Sequence, residues 1–148
     1  MNIAIDPGTT HSAFVQFHNG KIVDHGHISN DEMRQVLIGR EYTRCAIEMI
    51  ASYGMAVGAS TFETCVWIGR FIEVARVDVE LIFRKDIKLF LCGTMRAKDA
   101  NIRQALLDKI GPQGTKAQPG PTYGIKSHSW AALAVAVYAA NNKKENRK

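Results

Sequence analysis

Apolar and polar residues alternate through the first thirty positions. Ile3 and Ile5 mark a strand over Asn2 to Ile5, which ends at Asp6-Pro7-Gly8. Ser12 to Phe17 and Lys21 to Ile28 repeat the alternation, and Asn19-Gly20 between them is a strong two-residue hairpin signal. Beyond this three-strand meander the period lengthens. Asn30 with Asp31 and Glu32 makes a helix start, with Met33, Val36 and Leu37 on one face and Gly39 near the end. Arg44 to Ile50 is a largely apolar run and predicts a central strand. A small loop, Ala51 to Val57, precedes a long helix over 58–77, and Val79 to Phe83 alternates again with Val79, Leu81 and Phe83. Asp86 opens a short helix through Leu91, closed by Gly93. Another starts at Ala97 to Asn101, carries Ile102, Leu106, Leu107 and Ile110, and stops at Gly111-Pro112. Residues 112–126 read as a linker-like loop. Ser127 then caps an apolar helix, Trp130 to Ala140, whose many alanines permit close approach to a sheet. This order predicts an α/β domain with a mixed five-stranded sheet flanked by helices.

Composition narrows the class. With 148 residues and 46% hydrophobic content, one domain over 1–140 can bury a real core. No apolar run approaches a membrane span and no signal-peptide pattern opens the chain, so a soluble, cytoplasmic protein without membrane contact is expected. Cys45, Cys65 and Cys92 are odd in number and lack C-x-x-C spacing, which argues against disulfides and zinc and for buried free thiols. Of the formal charge of +5, +3 lies in residues 141–148, a polar, basic segment expected to be disordered. That tail suits either phosphate contacts or simple solvation.

Chemistry enters through acids embedded in apolar runs. Asp6 ends the first strand, and Glu48 sits near the end of the central one. A carboxylate in such a run is costly unless it is paired or binds a cation. Glu48 is therefore either a site residue or salt-bridged at an exposed strand end. His128, in the first turn of the last helix, would converge with both where adjacent strands end. Two carboxylates and an imidazole suit hard divalent ions, and two such ions about 4 Å apart can activate water and stabilise a leaving phosphodiester oxygen.

The segments Ile3-Ala4-Ile5-Asp6-Pro7-Gly8-Thr9, Ala46-Ile47-Glu48 and Ala132-Leu133-Ala134-Val135-Ala136-Val137, with a looser Gly93-Thr94-Met95-Arg96-Ala97-Lys98, occur in the order found in RuvC-family Holliday-junction resolvases. The sequence resembles that family, within the RNase H-like superfamily, and most closely its short phage-type members. The resemblance implies an RNase H-like fold and a metal-dependent endonuclease that cleaves four-way junctions and related branched DNA. It implies two Mg²⁺ or Mn²⁺ ions, with Asp6 bridging them, Glu48 supporting one and His128 as ligand or helper of the attacking water. A phage-encoded protein would act in the bacterial host cytoplasm. The family opens its last helix with two acids three residues apart, whereas this chain has His128 and Ala131. Either three groups suffice, or Asp99 compensates as an auxiliary acid, or the nuclease is weakened or disabled.

Further readings stay double. Tyr53 follows the strand bearing Glu48, where the family stacks residues on junction bases; it either does so or packs on its own domain. Arg96 and Lys98 either hold a DNA phosphate or are solvated charges. The helix over 58–77 is apolar on more than one face, so it covers the sheet and either a homodimer partner, through Trp67 and Phe71, or a second helix of the same chain. His11, His18, His25 and His27 read as surface residues, and Trp130 as core. The alternatives to a junction nuclease are a catalytically weak or inactive junction-binding protein and an RNase H-like nuclease for structured RNA. Asp6-Pro7-Gly8-Thr9-Thr10 is also similar to a sugar-kinase phosphate loop, but that fold needs a duplicated lobe that 148 residues cannot supply.

Overall fold

A meander opens the sheet: β1 (Asn2–Asp6), β2 (His11–His18) and β3 (Lys21–Ser29) pair antiparallel in sequence. The computed structural model describes residues 1–142. Helix α1 (Asn30–Gly39) leads to β4 (Arg44–Met49), and α2 (Ala59–Val74) leads to β5 (Val79–Phe83). Both of these strands run parallel to β1, so the sheet is mixed with order β3-β2-β1-β4-β5. Three helices follow: α3 (Arg84–Cys92), α4 (Asp99–Ile110) and α5 (Ser129–Asn141).

The strand alternation divides the core into two layers. Ile3, Ile5, Phe14, Cys45 and Ile47 face α1 and α2, joined there by Met33, Leu37, Ile68 and Phe71. Ala4, Ala13, Val15 and Ala46 face the other way, toward α5. Small residues on the strands meet Ala132, Ala136 and Ala139 on the helix, so α5 lies close over the middle of the sheet. Helices α3 and α4 flank it, contributing Ile87, Ile102 and Leu106 to the same layer. This placement explains why α5 is apolar nearly all round: sheet and neighbouring helices cover it on most sides. Leu133 and Val135 are fully buried, and truncating such a side chain costs about 2–5 kcal/mol.

Several boundaries differ from the sequence reading. The cap of α1 is Ser29, whose hydroxyl accepts from Glu32 N–H at 3.2 Å, and Asn30 is the first helical residue. Helix α2 stops at Val74, where Ala75 turns extended. In β5 the buried side chain is Ile82, while Leu81 is exposed: this is an edge strand, and the opposite alternation faces the core. Helix α3 begins at Arg84, two residues before Asp86, and Gly93 ends it in the left-handed conformation (φ 73°). Ser127 does not cap α5. It has φ 50°, and His128 occupies the cap position. The segment 112–126 is fastened rather than linker-like, because Thr122 and Ile125 are buried and Gln113 donates to the Ile125 carbonyl at 2.8 Å. Cys45 is buried, but Cys65 and Cys92 are only half-buried; all three are free. Of the basic tail, Asn141 belongs to α5, and residues 143–148 lie outside the described residues. No helix among the described residues is long and apolar enough to cross a membrane.

Candidate active site

The turn after β1 is built to hold Asp6 still. A side chain on Gly8 would collide with the carbonyl oxygen of His11, so the chain can close this tightly only on glycine. Asn30, buried at the start of α1, then ties the turn down. Its Nδ2 donates to the Gly8 carbonyl at 2.9 Å, its Oδ1 accepts from the Ser12 hydroxyl at 2.6 Å, and its backbone N–H donates to Thr10 O at 2.9 Å. The Ser12 hydroxyl in turn accepts from Gly8 N–H at 3.2 Å. Neither Asn30 nor Ser12 stood out in the sequence as a support of the site. An asparagine beside a helix start reads first as a cap, and here the adjacent serine has that role.

Asp6 and Glu48 stand side by side. The parallel register pairs Ile5 with Ile47, so the next residue on each strand is one of the two acids. Their side chains are only 13% and 14% exposed. Burial raises the pKa of both carboxyls above the ordinary range, and for Glu48 the neighbouring Asp6 charge adds to this, pushing it up to about 7. Two buried carboxyls side by side resist ionising together, and positive charge beside them favours the doubly ionised form.

One cation is already present. Arg84, the first residue of α3, places Nη1 3.3 Å from Glu48 Oε1 and bonds Asp99 Oδ1 through Nη2. Glu48 is thus salt-bridged, and it also stands beside Asp6. Arg84 was not singled out in the sequence, although its place was legible there, directly after the strand that runs parallel to β4.

His128 reaches the other side of Asp6, with Nδ1 3.2 Å from Oδ2. Its position at the start of α5 puts both the imidazole and the positive helix end near the carboxylate. The ring also lies 5.2 Å from that of His27, which is 5.8 Å from that of His11. These three imidazoles, Asp6 and the Pro7 to Thr10 turn line a cleft of about 370 Å³. His11 and His27 are exposed as expected, yet they border the site, because β2 begins and β3 ends beside it. Burial and the two neighbouring imidazoles lower the pKa of His27.

Ala131 faces a second cleft of about 290 Å³, which it shares with His128, Arg84, Asp99 and Trp130. Asp99 thus lies near Ala131, but its side chain is 89% exposed and is engaged by Arg84. Trp130 is core, as expected, with Arg103 over its ring. Tyr53 is 62% exposed rather than packed on its own domain, and it borders a cleft of about 230 Å³ with Pro7, Glu48 and Arg84. Arg96 and Lys98 are exposed in the segment leading into α4 and line none of these three clefts.

The donor set fits a hard divalent cation. Asp6 and Glu48 are oxygen donors, largely withdrawn from water, whose joint ionisation needs positive charge, and a guanidinium already supplies part of it. Among the described residues, no three His, Cys, Asp or Glu side chains are drawn together as a closed cage. The cation would therefore rest on the two carboxylates, with His128 at the margin.

Solved structures that share this fold include two of RuvC. That of Thermus thermophilus RuvC gives a TM-score of 0.66 at 17% sequence identity, covering 94% of this chain and 92% of that one. T. thermophilus RuvC in complex with Holliday junction substrate gives 0.64 at 18% identity, with the same coverage. No protein-family model matches the sequence, and no curated protein matches it significantly. The chain has the RuvC fold, an RNase H-like mixed sheet flanked by helices.

Proposed function

We propose that this protein is a metal-dependent endonuclease that cuts Holliday junctions and related branched DNA. The observation that carries the reading is the convergence of Asp6, Glu48 and His128 at adjacent ends of β1, β4 and α5 on the RuvC fold. One of the neighbours on that fold is a RuvC in complex with Holliday junction substrate.

Asp6 and Glu48 would hold Mg²⁺ or Mn²⁺, two ions in the full form of the reading, with His128 as a further ligand. Such ions lower the pKa of water and neutralise charge on a phosphodiester in transit. The chain's own groups supply the rest. The Gly8–Asn30 tie fixes Asp6, and His128, held 3.2 Å from it, would assist the attacking water where it does not itself bind the metal. Glu48 must lose its proton before it can serve as a full anion. Asp99 stands in as the auxiliary acid beside Ala131. Tyr53, exposed at the lip of the Glu48 cleft, offers a face for an unpaired base. Arg96 and Lys98 offer phosphate contacts from the segment before α4.

A homodimer fits a junction with two symmetric strands to cut. Helix α2 packs one side on α1 and the sheet, with Phe71 fully buried and Trp67 half-buried on that side rather than free for a partner, yet Phe62, Val66 and Ile72 remain exposed on it. Both alternatives for that helix can therefore hold together.

The deciding experiment is cleavage of a synthetic four-way junction against linear duplex, with and without Mg²⁺. Metal-dependent cutting of the junction, abolished by Asp6→Asn or Glu48→Gln with binding retained, is the expected result. Binding without cleavage across several metals and junction sequences would instead favour a junction-binding protein.

A further inference from the structure

One guanidinium connects parts of the site that the backbone keeps apart. Arg84 lies on Glu48 of β4 through Nη1 and on Asp99 of α4 through Nη2. It also borders both neighbouring clefts, the one beside Ala131 and the one beside Tyr53, so it forms the wall between them. Its two acids are unequal partners. The Glu48 side chain is 14% exposed and shares its surroundings with Asp6, whereas that of Asp99 is 89% exposed at the start of its helix. A charge resting on Glu48 is thus screened little, and one resting on Asp99 is screened strongly.

We propose that Arg84 is a resident counter-ion which a divalent cation must displace from Glu48, leaving the guanidinium held by Asp99 alone. The inference rests on the reading of Asp6 and Glu48 as metal ligands. Arg84 lies against one oxygen of Glu48, and a cation shared by Asp6 and Glu48 brings like charge beside that contact. Asp99 gives the displaced guanidinium somewhere to stay, because its tie to Nη2 does not depend on Glu48. In the absence of metal, Arg84 keeps a buried carboxylate from being left without positive charge. Once metal is bound, the same group stays at the wall of the cleft, held by Asp99.

The test measures Mn²⁺ binding by calorimetry in the full chain, without DNA, for the parent protein and for Glu48→Gln, Arg84→Met, Arg84→Lys and Asp99→Asn. Arg84→Met should bind Mn²⁺ about fivefold more tightly than the parent, the scale of one partly exposed ion pair. Arg84→Lys should stay near the parent value. Asp99→Asn should bind more weakly, because Arg84 then has only Glu48. Unchanged or weaker binding in a folded Arg84→Met overturns the inference while leaving the metal site standing if Glu48→Gln abolishes binding. Undiminished binding in Glu48→Gln overturns both. Metal-free melting curves show whether each variant folds. In the unaltered protein, Mg²⁺ titration should shift the Arg84 Nε–H resonance, and an Arg84 signal that ignores Mg²⁺ while the protein binds it also overturns the displacement.

Discussion

Asn30 holds Gly8 across 2.9 Å, from the first residue of a helix to the turn that presents Asp6. The contact spans 22 residues and is part-buried, beside the buried bond from Ser12 to the same asparagine. Asn30→Ala would leave the Ser12 hydroxyl proton without its acceptor and the Gly8 carbonyl without its side-chain donor. At about 1–3 kcal/mol for each buried group so orphaned, we expect a loss of about 2–4 kcal/mol in urea unfolding. Junction cleavage should fall in the folded fraction too, because Asp6 loses its support. Asn30→Asp, which keeps an acceptor for Ser12 but not the donor to Gly8, should be intermediate. A neutral Asn30→Ala would mean the turn stands without this brace.

Glu48 gives the protein a pH dependence of defined sign. Its pKa is raised from 4.5 to about 7 by burial and by Asp6. Between those values the folded state keeps a proton that the unfolded chain has released, so stability falls as pH rises through this range. For that group alone the loss is on the order of 3 kcal/mol. The metal-free melting temperature should therefore be lower at about pH 7.5 than at about pH 5. Mg²⁺ should raise it more at the higher pH, where the cation no longer competes with the proton. Glu48→Gln should flatten both trends, and a melting temperature independent of pH in the parent would contradict this account.

Most of the frame was readable because strand alternation and helix period are properties of consecutive residues. Ile3 and Ile5, the Asn19-Gly20 turn, and Gly93 and Gly111 as helix stops lie where the sequence puts them. Asp6, Glu48 and His128 converge because strand ends and helix starts meet on one edge of such a sheet. The support of the site was not readable. Arg84, Asn30 and the His11–His27 pair act across the sheet, and nothing in their local pattern sets them apart from an ordinary helix start or strand end. The face chosen by β5 was misread for a related reason: at an edge strand, which alternation turns inward depends on the neighbouring helices, here α3 and α5 around Ile82.

The exposed face of α2 tests the dimer. Phe62 and Val66 are 61% and 55% exposed one turn apart, and Gly69 follows on the same side with open space around it. If two copies pack there, Val66→Glu should convert the dimer to a monomer in sedimentation while leaving the fold intact, since Val66 is not in the core. Junction binding should weaken with it, because one of the two strand contacts is lost. A parent protein that sediments as a monomer at every concentration would remove this interface.

The cleft beside Ala131 offers the sharpest separation between a complete and a reduced site. Asp99 borders it but points to Arg84, and the family resembled here carries an acid at the position of Ala131. If Asp99 supplies that charge, Asp99→Asn should lower Mg²⁺-dependent junction cleavage by about tenfold, on the scale of about 1.4 kcal/mol of transition-state stabilisation. Ala131→Asp, placed in the same cleft beside Arg84 and His128, should then restore much of the loss in the double variant. It should do little in the parent, where the charge is already present. Ala131→Asp that strongly raises the activity of the parent would show the opposite: the site as it stands lacks an acid, and Asp99 does not replace it.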